Sequence, residues 1–459
     1  MGSETAQGLP EDALRELADR LQGALIMPSI DGYDQVRHVF NAMIDRRPAL
    51  IIRCAGPEDV VQGVNFARTH ALPLSMKGGG HSVAGSAVCD GGVMLDLSSM
   101  KRVRVDPEQR IAVADAGLTL AELDRATQAH GLATPLGVVS VTGIAGLTLG
   151  GGIGWLNGKY GLSCDNVLAA EIVVADGQLL TASAEQHQDL FWAIRGGGGN
   201  FGIVTSFTYR LHPVDTILGG GVSYPAEQAH AALKHYHAFA RDAPDEVSTS
   251  ASIGRDAGGR AVVSAAVCYC GPLEEGERVV RPLREFGPPV AGDFVPMPYA
   301  AMQTGADGGF PLGRRHYWKA GFLRDLTDDA IATLLRFAAD IPSPYSGIGL
   351  QQMTGVASRV DPTATAFAHR ARHYDFLVLS QWDDPADDDR NITWTRALFE
   401  AMRPHLEDAV YVNDLNDERE EGHDRIRSAY GANYERLATI KSAYDPSNLF
   451  RINHNIKPA

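Results

Sequence analysis

The stretch KGGGHSVAG, residues 77–85, places a histidine directly after three consecutive glycines. Glycine lets the backbone approach a ligand closely and adopt torsion angles that other residues avoid. A neutral imidazole is a nucleophile near pH 7, so His81 could react with an electrophilic ligand held by this loop. A flexible turn with an incidental histidine would have the same sequence, and the stretch alone does not separate the two interpretations.

Two further glycine clusters follow in the first half of the chain, GLTLGGGIGW (residues 146–155) and RGGGGNFG (195–202). Backbone amides that point inward together can bind a phosphate group. Three such clusters in one β-rich region favour a ligand cradle over three unrelated turns. None has the G-x-G-x-x-G spacing of a dinucleotide-binding unit, and none is followed by the Lys-Ser or Lys-Thr of a P-loop.

The elements that must position these residues alternate between strands and helices in the first half. LPLSM (72–76) is predicted as the strand that ends at the first glycine cluster. TLAELDRATQAHG (119–131) is predicted as a helix, because Thr119 and Glu122 can form a capping box and Gly131 ends the pattern. EIVVADGQLLTAS (171–183) is predicted as a hairpin that turns at Asp176 and Gly177.

The pattern changes after residue 213. Longer helices such as AEQAHAALKHYHAFARD alternate with strands such as AVVSAAVCY and YDFLVLSQW, which predicts a second domain of mixed helices and strands. From residue 409 a short strand, AVYVNDL, is expected to lead into the helix ANYERLATIKSAY. We therefore predict a first domain over residues 30–213, a second over 214–410, and a C-terminal segment over 411–459 that returns to the first.

The composition limits the possible partners. A net charge of −15 over 459 residues argues against nucleic acid or an anionic membrane, since both require a basic surface. No apolar run approaches the length of a membrane span, and the acidic N-terminal stretch has no visible export signal. Five cysteines without metal-site spacing fit a reducing compartment, so we expect a cytoplasmic protein without a metal site.

Four strings in order carry a family resemblance: PLSMKGGGHSVAG, GLTLGGGIGWLNGKYGLSCDNVLAAEIVVADG, DLFWAIRGGGGNFGIVTSFTYRL and NYERLATIKSAYDPSNLFRINHNI. Together they resemble the berberine-bridge-enzyme-like FAD-linked oxidases of the vanillyl-alcohol-oxidase group. The resemblance covers most of the chain and is weakest over residues 214–409, where the substrate domains of this family diverge.

The resemblance implies an α+β fold, with a PCMH-type FAD-binding domain and a second α+β substrate domain built on an antiparallel sheet covered by helices. FAD would lie across the first domain with its pyrophosphate on the glycine-rich loops. His81 would be bonded to the 8α-methyl group of the isoalloxazine. The other cofactor-binding residues implied are Lys77, Gly78, Gly79, Gly80, Ser82, Gly85, Ser140, Thr142, Gly143, Gly146, Gly150, Gly151, Gly154, Gly202, Ile203, Val204, Asn453 and Asn455.

Many members of the family attach FAD a second time, through a cysteine that precedes the second glycine cluster. That position is Val139 in this sequence, so a second bond of this type is not expected. Cys164 lies after the cluster, and a small buried cysteine is its commoner interpretation. We therefore predict attachment through His81 only. The same alignment puts Thr142 where the family controls access of oxygen to the flavin.

The catalytic base is less clear, because the family's usual Y-x-N-Y segment reads Tyr411-Val412-Asn413-Asp414 here. Oxidation at a C–H bond usually requires a group that accepts the proton of an O–H or N–H. Asp414 could be this base, could hold a cationic amine by charge, or could be a solvated carboxylate with the base elsewhere. Asn413 matches the family and is expected to face the flavin or the substrate.

Further candidates lie in the second domain. HYWKAGFL is predicted as a strand with Lys319 on one face and Trp318 on the other, where the family's sheet covers the flavin. GLQQMTG is a second such strand, in which Gln351 or Gln352 could bind a polar substrate. Trp155 could form a wall of the pocket. Ordinary packing of a sheet face is an equally good interpretation of each of these side chains.

The resemblance implies an FAD-dependent oxidase that transfers hydride from an alcohol or amine carbon to flavin N5 and is reoxidised by dioxygen to give hydrogen peroxide. A small aromatic or natural-product substrate, as in bacterial specialised metabolism, is expected. A dehydrogenase that uses another acceptor, a non-catalytic flavin-binding protein and a structural protein without flavin remain alternatives. The protein would act as a monomer or homodimer, with no nucleic acid or membrane partner.

Overall fold

The computed structural model describes residues 9–256, 258–287 and 289–459. The α-helices are α1 (Glu11–Arg20), α2 (Tyr33–Arg37), α3 (Pro57–Thr69), α4 (Leu120–Gln128), α5 (Ile144–Leu149), α6 (Asn157–Tyr160), α7 (Gln188–Ala193), α8 (Ala229–Asp242), α9 (Leu273–Glu285), α10 (Tyr299–Thr304), α11 (Asp328–Ala338), α12 (Asp388–Met402), α13 (Glu418–Glu421), α14 (His423–Tyr430) and α15 (Tyr434–Tyr444).

The strands are β1 (Ala24–Ile26), β2 (Leu50–Arg53), β3 (Leu74–Lys77), β4 (Val93–Asp96), β5 (Val103–Asp106), β6 (Ile111–Asp115), β7 (Leu132–Ala133), β8 (Val167–Val173), β9 (Leu179–Ser183), β10 (Ile203–Arg210), β11 (His212–Pro213), β12 (Thr216–Pro225), β13 (Val247–Arg255), β14 (Ala261–Tyr269), β15 (Ala291–Pro298), β16 (Arg315–Leu323), β17 (Gly347–Met353) and β18 (His373–Trp382).

The first sheet has the order β1-β2-β4-β3, and both β2 and β3 run parallel to β4. Strands buried on both faces read as continuous apolar runs, and β4 is buried along its whole length. Helix α3 packs Val60, Val64 and Ala67 into the same core. The chain therefore leaves β3 at Lys77, at the carboxyl edge of a rigid sheet, and enters the glycine loop there.

The second sheet is antiparallel, with the order β5-β6-β10-β8-β9. The predicted hairpin is β8 and β9, which pair antiparallel around Asp176 and Gly177. The predicted capping box is also present, since the Glu122 amide donates to Thr119 Oγ1 and the Thr119 amide donates to Glu122 Oε2. These short-range predictions are confirmed.

The third sheet has the order β15-β12-β14-β13-β17-β18-β16, and every neighbouring pair is antiparallel. One face is covered by the helices α8, α9, α11 and α12 through a single apolar core. Side chains alternate between the faces, so the odd-numbered residues of β18 point to the opposite side. We call that opposite side the roof face. An antiparallel sheet covered by helices was the predicted architecture of the second domain, and it is confirmed.

The chain after residue 409 differs from the prediction, because Val412–Asp414 form a turn of 3₁₀-helix rather than a strand. The amide of Asp414 donates to the carbonyl of Tyr411, which closes the turn. A turn directs consecutive side chains to different neighbours, whereas a strand would alternate them between two faces.

The domain boundaries at 213/214 and 410/411 stay predictions. Among the described residues, no helix combines the length and apolarity needed to cross a membrane.

Candidate active site

His81 lies in the loop of residues 78–82 that follows β3, which we call the attachment loop. Its ring stacks on Phe40 with the centroids 4.2 Å apart. The Nε2 atom is completely buried and has no hydrogen-bond partner, whereas Nδ1 is not enclosed in this way. Burial lowers the pKa of His81 to about 4, so the imidazole is neutral at pH 7.

The attachment loop has the properties of a ligand cradle. Within the described chain, the backbone amides of residues 78–82 donate to no protein acceptor. A Cβ on Gly79 would lie 2.3 Å from the amide nitrogen of Gly143, so only glycine permits this backbone contact. Gly146 is exposed, and a Cβ there would meet no atom within 4 Å. Free amides beside open space fit a phosphate-bearing cofactor.

Other predicted cofactor residues near this loop make contacts within the protein. The Lys77 ammonium donates to the carbonyls of Val36 and His38 at 2.7 and 3.0 Å. Ser140 donates through its amide and hydroxyl to the carboxylate of Asp307 at 2.8 and 2.6 Å. Lys77 therefore holds the chain segment before the cradle, and Ser140 joins the cofactor side to the loop after α10. Of the other predicted residues here, Ser82 and Thr142 are partly exposed, whereas Gly85 is buried against Ile44.

The second glycine cluster is packed differently from the first. The amides of Gly150 and Gly151 donate to the carbonyls of residues 146 and 148. A Cβ on Gly150 would lie 2.1 Å from Asn413 Oδ1, and one on Gly154 would lie 1.8 Å from the carbonyl oxygen of Leu136. Close packing explains Gly150 and Gly154, and the amides of Gly150 and Gly151 are bonded within the protein, so contact of these residues with a cofactor stays a prediction.

The third glycine cluster meets the C-terminal tail. Asn453 Nδ2 donates to the carbonyl of Gly199 at 3.2 Å, and the Oδ1 atoms of Asn453 and Asn455 are buried without a partner. Gly202 packs against the carbonyl of Val173, where β10 pairs with β8. The residues predicted next to it, Ile203 and Val204, are buried in β10.

The roof face carries the predicted Trp318 and Gln351. Trp318 lies opposite Leu379 in the pairing of β16 with β18, and Gln351 lies opposite Asp375 in the pairing of β17 with β18. Asp375 and Leu379 are four residues apart on one strand, a span of about 13 Å. Leu379 is only partly buried although it faces the cofactor domain, so open space lies beneath this face.

The Trp318 end of the roof face lies beside His81. Phe40 stacks on His81 on one side and on His316 on the other, and its ring also meets Trp318 edge-on at 6.3 Å. Burial lowers the pKa of His316 to about 3, and neither of its ring nitrogens has a partner. The Nε1 atom of Trp318 is buried without a partner too. Unpaired polar atoms at one place fit a site completed by a ligand.

The other end of the roof face carries two carboxyl groups in contact, Asp375 and Asp414, which we call the carboxyl pair. Burial raises the pKa of both, and the charge of Asp414 raises that of Asp375 further. A hydrogen bond joins the two side chains, which requires one proton between them. Asp414 keeps some exposed surface, whereas Asp375 is 6% exposed. The pair can therefore accept a proton from a molecule beneath the roof face.

The turn at residues 412–414 positions Asp414 through its neighbours. Asn413 Nδ2 donates to the carbonyl of Leu147 at 3.1 Å and to the hydroxyl of Tyr411 at 2.7 Å. The amide of Gly152 donates to the same hydroxyl at 2.9 Å. Asn413 and Tyr411 thus fix the turn on the second glycine cluster, and the contact of Asn413 explains why Gly150 has no space for a side chain.

The candidate Lys319 does not face the carboxyl pair or the attachment loop, and a catalytic role for it stays a prediction. Its side chain leaves the opposite face of β16 and makes an ion pair with Glu421 at 3.0 Å. Strand alternation requires this once Trp318 faces the cofactor domain. Glu420 lies 3.5 Å away and completes this outer cluster.

Trp155 and Cys164 each pack in an apolar cluster. Trp155 packs with Tyr299 and Met302 in an apolar cluster, away from the cluster that contains Trp318. Cys164 is fully buried, and burial raises the pKa of its thiol. In the part of the chain that the structure describes, no group of three or more His, Cys, Asp or Glu side chains could hold a metal ion.

Two important residues of this site were not identified from the sequence. Asp375 is the single acidic residue in the apolar stretch YDFLVLSQW, and an acid inside a buried strand was the available signal. Phe40 gives no comparable signal, because an aromatic residue in a loop has no pattern that points to a partner.

Comparisons with known proteins agree with this geometry. The family described as "FAD binding domain" matches residues 48–183, and the family described as "Berberine and berberine like" matches residues 410–457. An FAD-linked oxidoreductase of Dictyostelium discoideum is 32% identical over 450 residues, with 97% of each chain covered.

Solved structures match over nearly the whole chain. The 6-hydroxy-D-nicotine oxidase of Arthrobacter nicotinovorans matches with a TM-score of 0.86 and 27% identity, covering 96% of this chain and 98% of that one. The berberine bridge enzyme of Eschscholzia californica has the same fold, with a TM-score of 0.87, 23% identity, and coverage of 98% and 99%. The chain is therefore a member of the berberine-bridge-enzyme-like family of FAD-linked oxidoreductases.

Proposed function

We propose that this protein is an FAD-dependent oxidase that holds its flavin covalently through His81 alone and oxidises an alcohol or amine carbon of a small aromatic or natural-product substrate. The observation that carries the proposal is the carboxyl pair, at one end of a roof face whose other end lies beside His81. FAD, when bound, takes hydride from the substrate carbon at N5 and passes two electrons to dioxygen, which yields hydrogen peroxide.

The attachment loop would hold the cofactor. Its unpaired amides are donors for the pyrophosphate, and Nδ1 of His81 is the ring nitrogen that remains open to a ligand. The lowered pKa of His81 keeps the imidazole neutral and nucleophilic. Val139 offers no thiol and Cys164 is buried, so a single attachment is supported.

Asp414 would accept the proton that the substrate loses from its O–H or N–H group. Asp375, whose pKa is raised further, would keep the proton already present in the pair and donate its hydrogen bond to Asp414. The substrate loses one hydride from carbon and one proton from oxygen or nitrogen, which balances the two-electron oxidation. Gln351 faces the same space beside Asp375 and is placed to orient a polar group of the substrate.

A mass measurement on the denatured protein tests the attachment. We expect the mass of one FAD on the wild-type chain and on Cys164→Ala, and no added mass on His81→Ala. Retention of the flavin by His81→Ala would disprove the attachment through His81.

The reaction is tested by mixing the flavoprotein anaerobically with a panel of alcohols and amines. Loss of flavin absorbance, followed by fast recovery and stoichiometric peroxide on admission of air, is the expected result. Slow reoxidation in air with fast reoxidation by a quinone would identify a dehydrogenase. No loss of absorbance with any substrate would favour a non-catalytic flavin-binding protein.

A further inference from the structure

We propose that residues 36–43, which we call the brace, orient His81 for flavin attachment, and that Phe40 and Asn41 are its positioning residues. The inference rests on the proposed attachment of FAD to His81. It concerns a segment that contacts the attachment loop from outside and does not itself supply the reacting nitrogen.

Stacking on Phe40 orients the imidazole of His81. Phe40 has no exposed surface, and its ring lies 4.2 Å from that of His81 with an angle of 17° between the planes. In the described structure, no hydrogen bond is present at Nε2 of His81, so no polar contact there fixes the ring. On its other face Phe40 stacks on His316 at 4.1 Å. The ring of Phe40 is thus held against His316 of β16, and it fixes the plane of the His81 ring.

Asn41 is 3% exposed and holds the brace to its neighbours through hydrogen bonds. Its Nδ2 donates to the carbonyls of Val83 and His316 at 2.8 and 2.9 Å. Its Oδ1 accepts from the amides of Met43 and His316 at 3.0 Å each. One amide side chain therefore joins the loop just after His81 to β16 in the roof, and it uses all four of its hydrogen bonds to do so.

The brace also contacts the loop before His81. The amide of Phe40 donates to the carbonyl of Gly80 at 2.9 Å, and Lys77 donates to the carbonyls of Val36 and His38. Gly80 has a φ of +69°, a conformation that a residue with a side chain rarely adopts. The loop is therefore contacted on both sides of His81, and its unusual backbone conformation is held from outside.

Orientation matters because of the bond that forms. Attachment joins an imidazole nitrogen of His81 to the 8α carbon, with loss of one hydrogen from the methyl group and one from the imidazole. The two electrons released go to dioxygen, the acceptor of the proposed reaction, and form hydrogen peroxide. Intramolecular bond formation of this kind depends steeply on the alignment of the reacting atoms. If the His81 imidazole rotated freely, the protein would bind FAD equally well but would form the covalent bond more slowly.

Phe40→Leu tests the brace, because leucine is apolar but cannot stack. Phe66→Leu is the matched control, since Phe66 is also buried and its ring packs against that of His70 at 4.4 Å rather than against His81. Full-length protein from riboflavin-starved cells would be mixed with FAD in aerated buffer, and covalent flavin followed by mass. Non-covalent FAD binding would be measured separately by fluorescence quenching.

We expect Phe40→Leu to bind FAD but to attach it at least about tenfold more slowly, and Phe66→Leu to attach it at the wild-type rate. Attachment by Phe40→Leu at the wild-type rate would overturn the inference, while a wild-type protein that never attaches FAD would instead overturn the proposed function. If Phe40→Leu does not fold, Phe40→Met is measured in its place.

Asn41→Asp, compared with Asn433→Asp, gives a second measurement, since Asn433 is a buried residue whose side-chain amide donates to three carbonyls elsewhere. Equal attachment rates in these two variants would exclude a positioning role for Asn41.

Discussion

The two ends of the roof face respond to burial in opposite chemical senses. At one end burial lowers the pKa of His81, so the imidazole loses its proton and becomes a nucleophile. At the other end burial raises the pKa values of the carboxyl pair, so one carboxyl keeps its proton and the pair becomes a base near neutral pH. Burial thereby removes the charge of the imidazole and leaves the carboxyl pair with one negative charge, so the neutral imidazole serves attachment and the singly charged pair serves proton transfer.

The site is thus divided into an end that holds the cofactor, at His81, and a reactive end, at the carboxyl pair. His81 is held by ring stacking with no polar partner at Nε2, which suits a permanent bond. Asp414 is held by a hydrogen bond to a second acid, which suits a proton that must come and go. Changes at the carboxyl end should therefore affect turnover most, and changes at the histidine end should affect mainly how the cofactor is held.

The largest expected effect is that of Asp414→Asn. Removing the proton acceptor should lower the rate of flavin reduction by about 10²- to 10⁴-fold, the usual contribution of a general base. Stopped-flow absorbance with a substrate found in the panel is the measurement. Asp124→Asn is the matched control, because Asp124 is another buried acid, bonded to Gln303, and its loss should leave the rate within about twofold. Equal losses in both variants would show a general effect of buried acids on folding.

The second expected effect is a dependence of the rate on pH. Because the pKa values of the carboxyl pair are raised, the base should be lost at a higher pH than an ordinary aspartate would lose it. The rate of flavin reduction should rise with pH through this pKa and fall about tenfold per unit below it. Asp375→Asn should keep most of the rate, since an amide can still donate to Asp414. A rate independent of pH between 4 and 8 would contradict proton acceptance by the pair.

A smaller effect is expected at the other end. The His81→Ala variant should lose the covalent bond but still bind FAD non-covalently, because the free amides of the attachment loop remain. The expected loss in the rate of flavin reduction is about tenfold, which corresponds to about 1.4 kcal/mol in the barrier. Dialysis should then remove the flavin from the variant and leave that of the wild type. A loss as large as that of Asp414→Asn would show that the two ends are not divided in this way.

Local features of the fold could be predicted from the sequence, and so could the loop that carries His81. The capping box at Thr119 and the hairpin at Asp176 depend on residues within a few positions of one another. Asp414 was identified as a candidate, but Asp375, the acid that shares its proton, was not. Strand alternation predicts which side chains share a face, but it does not predict that Asp375 on that face meets a residue 39 positions later in the chain.

The same limit applies to Lys319. Alternation placed Lys319 and Trp318 on opposite faces correctly, but the sequence does not say that only one of the two faces meets the cofactor domain. The turn at residues 412–414 failed for a related reason. Its conformation is set by contacts of Asn413 with Leu147 and of Tyr411 with Gly152, more than 250 residues earlier in the chain.

The smallest effect on catalysis is expected for Lys319→Met, which compares the two faces of one strand. Lys319 is 10% exposed and pairs with Glu421, which is 6% exposed, so its removal leaves a buried carboxylate without its closest cation. The expected cost is about 2 kcal/mol in the free energy of unfolding, while the rate of flavin reduction stays within about twofold. Lys234→Met is the control, since Lys234 and Asp328 are both more than half exposed and that pair should contribute under about 1 kcal/mol. Urea unfolding and stopped-flow reduction on both variants separate stability from catalysis, and a large fall in rate with unchanged stability would return Lys319 to the active site.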